Sequence, residues 1–210
     1  MNKISFSQLE SARKSPSAFA KSLNDGGNPF RSKKPAKFTI WKNAVFNYHK
    51  EKNNLSKAIK YFESSYLKHY VDNRKNVIEC GTWIEDLHIY VNDEIERKLS
   101  TFDRKLRVSI PLTHKIKLGG ELPLIKMNNK GGYSIYFFSR ESTAWEGELR
   151  FPIIQYFVAT SLYNVDLSEV EVGVYSLDFK KHLQMTYSAS DVEDAIIELN
   201  SIGKAVSSFL

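Results

Sequence analysis

A short basic segment flanked by aromatic residues has the most readily interpreted chemistry in this sequence. Lys33, Lys34 and Lys37 lie between Phe30 and Phe38. Lysine ammonium groups neutralise phosphates, and aromatic rings stack on unpaired bases. A proline interrupts the segment, and a Gly- and Asn-rich stretch precedes it, which favours an extended arm. We therefore predict that Lys33, Lys34 and Lys37 contact nucleic acid.

The sequence lacks most other signatures of catalysis. The paired glycines at 119–120 and 131–132 do not have the spacing of a phosphate-binding loop, the five histidines are scattered, and no serine-hydrolase elbow is present. The single cysteine, Cys80, has no obvious base beside it, and one cysteine excludes an intrachain disulfide and a cysteine-rich zinc site. Carboxylate chemistry is the class that remains.

The elements that must position such residues follow from the hydrophobic pattern. Apolar residues recur every three to four positions in the first half of the chain, and the spacing changes to alternation near residue 105. The pattern predicts helices over about 41–71, broken at Asn53–Asn54, and over 82–99. Strands are predicted at 105–110, 114–118, 121–127 and 133–138, followed by a helix at 151–164, a strand at 170–179 and a terminal helix opening at Ser190.

This order predicts an α/β (α+β) domain with a central mixed sheet of about four to five strands flanked by helices. We place a basic N-terminal helical region at 1–75, packed on a sheet-containing core at 76–210, as one domain. The length of 210 residues and the 42% hydrophobic and 26% charged composition suit one folded domain. The absence of a long apolar run or an apolar signal core in this sequence predicts no membrane association, and the lone cysteine favours the reducing cytoplasm.

The distribution of charge along the chain indicates a polyanionic partner. The net charge is +6, but residues 1–75 contain sixteen Lys and Arg against five Asp and Glu, whereas residues 76–210 contain fourteen against nineteen. Nucleic acid is the polyanion that such a surface suits best, and we expect DNA rather than RNA. The alternative is that these lysines only solvate the surfaces of amphipathic helices.

The order of elements resembles the core of the PD-(D/E)XK nuclease superfamily, in particular its RecB-like and phage-exonuclease-like branches. Ile4–Glu10 resembles the Ser-x-Ser start of that family, Gly81–Glu85 its glycine-to-acid motif, and Leu149–Tyr156 its helix carrying a Gln and a Tyr. The resemblance covers most of the chain. It places Glu85 in the acidic position, and it implies nucleic-acid contact for Arg150, Gln155 and Tyr156.

Two positions depart from the pattern of that family. Pro123 stands where the second strand should carry a metal-binding Asp, with Glu121 two residues earlier, and the third strand reads Phe137-Phe138-Ser139 without an acid and a lysine. The family chemistry needs two or more carboxylates around Mg²⁺ and a lysine near the attacking water. We therefore expect a degenerate site that has lost or relocated its metal, and no cofactor.

Three functional hypotheses remain, and the sequence leaves open whether the protein is an enzyme. The first is a nucleic-acid-binding protein with a nuclease-like fold, acting in DNA processing or antiviral defence, with protein subunits as further partners. The second is a Mg²⁺- or Mn²⁺-dependent DNase with Glu85 and Glu121 as catalytic metal ligands; Glu141 or Glu148 would complete the site, and Arg140 or Arg150 would replace the lysine. The third is a protein-interaction domain whose lysines only solubilise it.

Overall fold

In the computed structural model, a mixed sheet forms the middle layer of the protein. The structure describes residues 1–24, 35–127, 131–140 and 145–210. Within these residues the sheet has six strands: β1 (Asn2–Ser5), β2 (Ser100–Pro111), β3 (Ile116–Met127), β4 (Tyr133–Ser139), β5 (Val170–Ser176) and β6 (Lys181–Met185).

Helices cover both faces of this sheet. The α-helices of the described residues are α1 (Leu9–Lys14), α2 (Pro16–Asn24), α3 (Lys37–Lys50), α4 (Leu55–His69), α5 (Arg74–Glu96), α6 (Arg150–Phe157) and α7 (Ala189–Ser208). A π-helical segment, Val158–Tyr163, extends α6. Among the described helices, none combines the length and the apolar character needed to cross a lipid bilayer.

Strand β3 organises the sheet because it has neighbours along both edges. Strand β2 runs antiparallel to β3 over almost its whole length. The opposite edge is shared by β1, parallel at residues 116–119, and by β4, antiparallel at residues 124–127. Strand β5 then pairs parallel with β4, and β6 pairs antiparallel with β5. The predicted α+β class is confirmed, with one or two more strands than expected because neither β1 nor β6 was predicted.

The two faces of the sheet bury separate apolar cores. The first core lies against α1, α2, α6 and α7 and contains Ile4, Leu122 and Val172. The second core lies against α3, α4 and α5 and is rich in aromatic residues, with Trp41 and Tyr175 stacked at 5.9 Å between ring centroids. In the basic N-terminal region, helices α3 and α4 therefore pack on the second face of the sheet, whereas α1 and α2 pack on the first.

Side-chain alternation along β3 shifts by one residue at Pro123. Leu122 belongs to the first core, whereas Leu124, two residues later, belongs to the second. Strict alternation would keep both on one face. Pro123 lies where β3 pairs with neither β1 nor β4. On the other edge of β3, Lys105 of β2 lies opposite Pro123, is also left out of the strand pairing, and has a left-handed φ of 54°. A proline is tolerated at such an irregularity because no ladder hydrogen bond needs its missing N–H.

Several predicted boundaries were wrong. Helix α5 begins at Arg74 rather than near residue 82, so Gly81 lies inside a helix and the division at 75/76 falls within it. The strands predicted at 114–118 and 121–127 are one strand, β3, with Gly119 and Gly120 inside it. Strand β5 ends at Ser176, and the terminal helix α7 is capped by Ser188 rather than Ser190.

The break between α3 and α4 matches the prediction at Asn53–Asn54 and positions the site described next. Lys52 and Asn53 have φ values of 55° and 61°, in the left-handed region that asparagine tolerates better than most residues. The Asn54 side chain then accepts a hydrogen bond from the backbone N–H of Lys57 and caps α4. The tight connection leaves α3 and α4 packed side by side.

Candidate nucleic-acid interface

Two adjoining cavities form a basic groove on the outer side of the helices that cover the second face. One, of about 500 Å³, lies between α3 and α4, and the other, of about 230 Å³, lies between α3 and β2. They share Asn47 and Tyr61. The cationic residues that define the basic groove are Lys50, Lys57, Lys60, Lys68, Arg104 and Lys105.

Helix α4 forms one wall of the basic groove because its polar residues recur at helical spacing. Lys57, Lys60, Ser64 and Lys68 lie on one side of the helix at intervals of three and four residues. The opposite side carries the buried residues Ala58, Phe62 and Tyr66. The packing of the apolar stripe therefore holds the lysines toward the cavity.

Helix α3 and strand β2 form the other wall. Asn43, Asn47 and Lys50 follow one another at four- and three-residue intervals along α3 and line the smaller cavity. Lys105, whose φ is left-handed, extends its ammonium over the ring of Phe46, 4.4 Å from the ring centroid. This wall offers both amide groups and cations to a ligand.

The basic groove has a large excess of positive charge. Among the described residues that line it, the only carboxylate belongs to Glu51, which pairs with Lys57 at 2.7 Å. This hydrogen bond and the charge of Lys57 lower the pKa of Glu51. No ion pair between described residues involves Lys50, Lys60, Lys68 or Arg104. Unpaired cations that converge on a cavity suit a ligand with several negative charges.

The two predicted metal ligands lie in different surroundings. Glu85 is exposed on α5, whereas Glu121 is exposed on β3 in a separate cavity of about 430 Å³ with Lys3, Arg107 and Lys117. Neither belongs to a group of three or more potential metal ligands among the described residues. Glu141 lies outside the described residues. The metal-ligand role of Glu85 and Glu121 stays a prediction.

Aromatic rings fill the gap in the sheet between β1 and β4. Phe6 lies over Gly120, in the space that a side chain at this glycine would need. Its ring contacts Phe137 edge-on, with 6.4 Å between centroids, and Phe137 contacts Phe151 in the same manner at 5.8 Å. The Arg150 guanidinium stands over the rings of Phe137 and Phe151. The region where the family resemblance predicts acidic ligands is thus packed with phenylalanines.

The three residues predicted to contact nucleic acid near α6 differ in exposure. Arg150 is held by an ion pair to Glu148 at 2.7 Å, and burial lowers its pKa against the opposing effect of this carboxylate. Gln155 is completely buried; its side-chain amide donates to the carbonyls of Leu167 and Tyr187 and accepts from the N–H of Tyr187. Tyr156 is 40% exposed.

Replacing Gln155 with leucine should lower the free energy of unfolding by about 2 kcal/mol or more, because a buried N–H and two carbonyls would lose their partner. The neighbouring Tyr156→Leu variant is the control and should change stability by less than about 0.5 kcal/mol, as is usual for surface positions. Urea denaturation of both variants measures the difference. Equal stabilities would contradict a bracing role for Gln155.

Lys37 is committed to contacts within the chain, whereas Lys33 and Lys34 lie outside the described residues. The Lys37 ammonium forms an ion pair with Glu79 and stands 4.7 Å from the centroid of the Tyr70 ring. Burial opposes its charge, but the hydrogen bond to Glu79 prevails, and the pKa of Lys37 is raised. Lys37 therefore joins the start of α3 to α5.

A charged network is buried beneath the basic groove, between the sheet and helices α3 and α5. The ammonium of Lys126, which is 0% exposed, donates to Glu94 and, at 2.9 Å, to the Thr101 hydroxyl. His49 lies 3.3–3.4 Å from the same ammonium and 2.7 Å from the Tyr90 hydroxyl. On the other side of Glu94, the Nε2 atom of His182 is 3.2 Å from the carboxylate.

These groups shift one another's titration. Burial alone would raise the pKa of Glu94, but His182 and Lys126 hold it at about 2. Burial and the charge of Lys126 lower the pKa of His49 to about 3. Burial lowers the pKa of Lys126, against the opposing effect of Glu94. The network is enclosed by the aromatic second core, and it braces α3 and α5 against β3.

Comparison with known proteins gives little guidance. No protein-family model and no curated protein match this chain. Among solved structures, it is similar to one described as the crystal structure of SSO0001, with 13% identity, coverage of 90% of this chain and 85% of that chain, and a TM-score of 0.27.

Proposed function

We propose that this protein binds DNA through the basic groove, with a nuclease-like arrangement of elements that serves binding rather than metal-dependent cleavage. The observation that carries the proposal is the convergence of six cationic side chains, with one carboxylate, on two joined cavities. Phosphate neutralisation by such groups dominates the affinity of proteins for nucleic acids.

The arrangement of secondary structure supports the nuclease-like part of this proposal. Helix α5, the antiparallel strands β2, β3 and β4, the crossover helix α6 and the parallel strand β5 follow in the order that suggested the resemblance. The phenylalanines between β1 and β4 occupy space that acidic ligands would need, which favours binding over cleavage. A role in DNA processing or antiviral defence stays a prediction.

The proposal predicts that affinity for DNA falls steeply with salt and changes little on addition of EDTA. In fluorescence anisotropy titrations, the triple variant Lys60→Gln, Lys68→Gln, Arg104→Gln should reduce the slope of log affinity against log salt concentration by about 2, since each phosphate contact contributes about 0.7–0.9.

The matched control carries the same loss of charge on the opposite layer of the protein. Lys14→Gln, Lys21→Gln and Lys204→Gln replace exposed lysines of α1, α2 and α7 and should leave the slope almost unchanged. Equal effects of the two triple variants, or binding that is insensitive to salt, would refute the groove as the interface. Cleavage in Mn²⁺ that is lost in Glu85→Ala and Glu121→Ala would instead support the DNase alternative.

A further inference from the structure

We infer that the basic groove selects single-stranded over duplex DNA, with Tyr61 as a platform on which an unpaired base stacks. The inference rests on the proposed function, because it assigns the form of DNA that the same groove takes. Tyr61 lies where the two cavities meet and lines both of them.

Tyr61 has a free aromatic surface at this junction. It is 38% exposed, although large aromatic residues on α4 are otherwise packed, as Phe62 and Tyr66 are. Among the described residues its ring takes part in none of the aromatic pairs, and its hydroxyl makes none of the side-chain hydrogen bonds. The exposed part of this side chain is therefore available to a ligand.

The neighbours of Tyr61 can contact both the phosphates and the base of a nucleotide. Lys57 and Lys60 precede it on α4, and Lys68 follows two turns later, so phosphates can lie along this wall. Asn47, on the facing helix, lines both cavities and presents an amide that can donate to and accept from a base edge.

A duplex could use only half of this surface. Base faces inside a duplex are covered by their neighbours in the stack, so a duplex would offer phosphates to the lysines but no ring to Tyr61. An unpaired strand offers both, and stacking of bases on aromatic side chains tolerates any sequence because every base has a π face. The chemistry of the groove thus favours a single strand without strong sequence preference.

The test separates the contribution of the bases from that of the phosphates. Wild-type protein, Tyr61→Leu and Tyr61→Trp are titrated at one salt concentration with a dT oligonucleotide, an abasic oligonucleotide of equal length and a blunt duplex. We expect the wild type to bind dT most tightly. Tyr61→Leu should weaken dT binding roughly 5- to 150-fold and leave the abasic strand unaffected, whereas Tyr61→Trp should retain dT binding.

Thermal unfolding of Tyr61→Leu checks that the variant is folded. Phe209→Leu, which removes an exposed aromatic residue at the end of α7 on the opposite layer, is the matched control and should leave dT binding unchanged. Equal binding of dT and abasic strands by the wild type, or tighter binding of the duplex, would overturn the inference. The proposed function would still hold in either case if binding weakened with salt. Absence of binding to every oligonucleotide at low salt would overturn both.

Discussion

Replacing Lys126 with methionine is expected to lower the free energy of unfolding by about 3–5 kcal/mol, the usual cost of removing one member of a buried ion pair. The substitution keeps most of the side-chain volume, so the loss comes from the charge. Glu94, which is 5% exposed, would keep its carboxylate in the aromatic second core without the ammonium that compensates it. Urea denaturation measures the change in the free energy of unfolding, provided that the m value is the same for the variant and the wild type.

The charge explanation is tested by neutralising both partners. The double variant Lys126→Met, Glu94→Gln removes the unpaired carboxylate, so it should be more stable than Lys126→Met alone, although it carries one more substitution. Such coupling is typical of residues in direct contact. If the two substitutions instead added their costs, the network would owe its stability to packing rather than to paired charges.

Acidification is expected to destabilise the protein from about pH 6.5 downward, before most carboxylates titrate. The pKa of His49 is about 3 in the folded state and near 6.5 in the unfolded chain. Between these values the unfolded state binds the proton and the folded state does not, so stability falls as pH falls. The slope for one proton is about 1.4 kcal/mol per pH unit, which amounts to about 3 kcal/mol between pH 7 and pH 4.

The His49→Gln variant isolates this effect. It should be less stable than the wild type at pH 7, because contacts with Tyr90 and Thr101 are disturbed. The difference between the two proteins should then shrink steadily from pH 6.5 to pH 4, since glutamine does not titrate. Unfolding free energies measured by urea at several pH values give the difference. Parallel curves would mean that His49 is not the group that senses the acid.

The layered fold could be predicted because its helices and the middle of its sheet have regular hydrophobic periods. The prediction failed where local signals compete. Gly119 and Gly120 separate two of the predicted strands, yet they lie inside β3, where Gly120 makes room for Phe6. Strand β1 has only four residues and is stabilised by pairing with β3, more than a hundred residues away in sequence. Periodicity within one short segment contains no information on such a partner.

The basic groove could have been found in part. The spacing of Lys57, Lys60 and Lys68 is visible in the sequence opposite the stripe of Phe62 and Tyr66, but the sequence does not indicate that Arg104 on β2 faces the same cavity. The family resemblance directed attention to Gln155 instead, whose amide is occupied within the chain. The buried network offered one signal, a lysine inside the apolar strand at position 126. Its carboxylate partner on α5 lay among several acidic residues and could not be singled out.

The shift in side-chain alternation at Pro123 limits how the hairpin formed by β2 and β3 can vary in length. Strands β2 and β3 form two short ribbons on either side of Lys105 and Pro123, and the side chains of the two ribbons alternate in opposite phase between the cores. Deleting one residue between the junction and the tip of the hairpin would exchange inward- and outward-pointing side chains on one ribbon only. Evolutionary insertions and deletions should therefore be tolerated here as matched pairs, one in each strand, and be rejected singly.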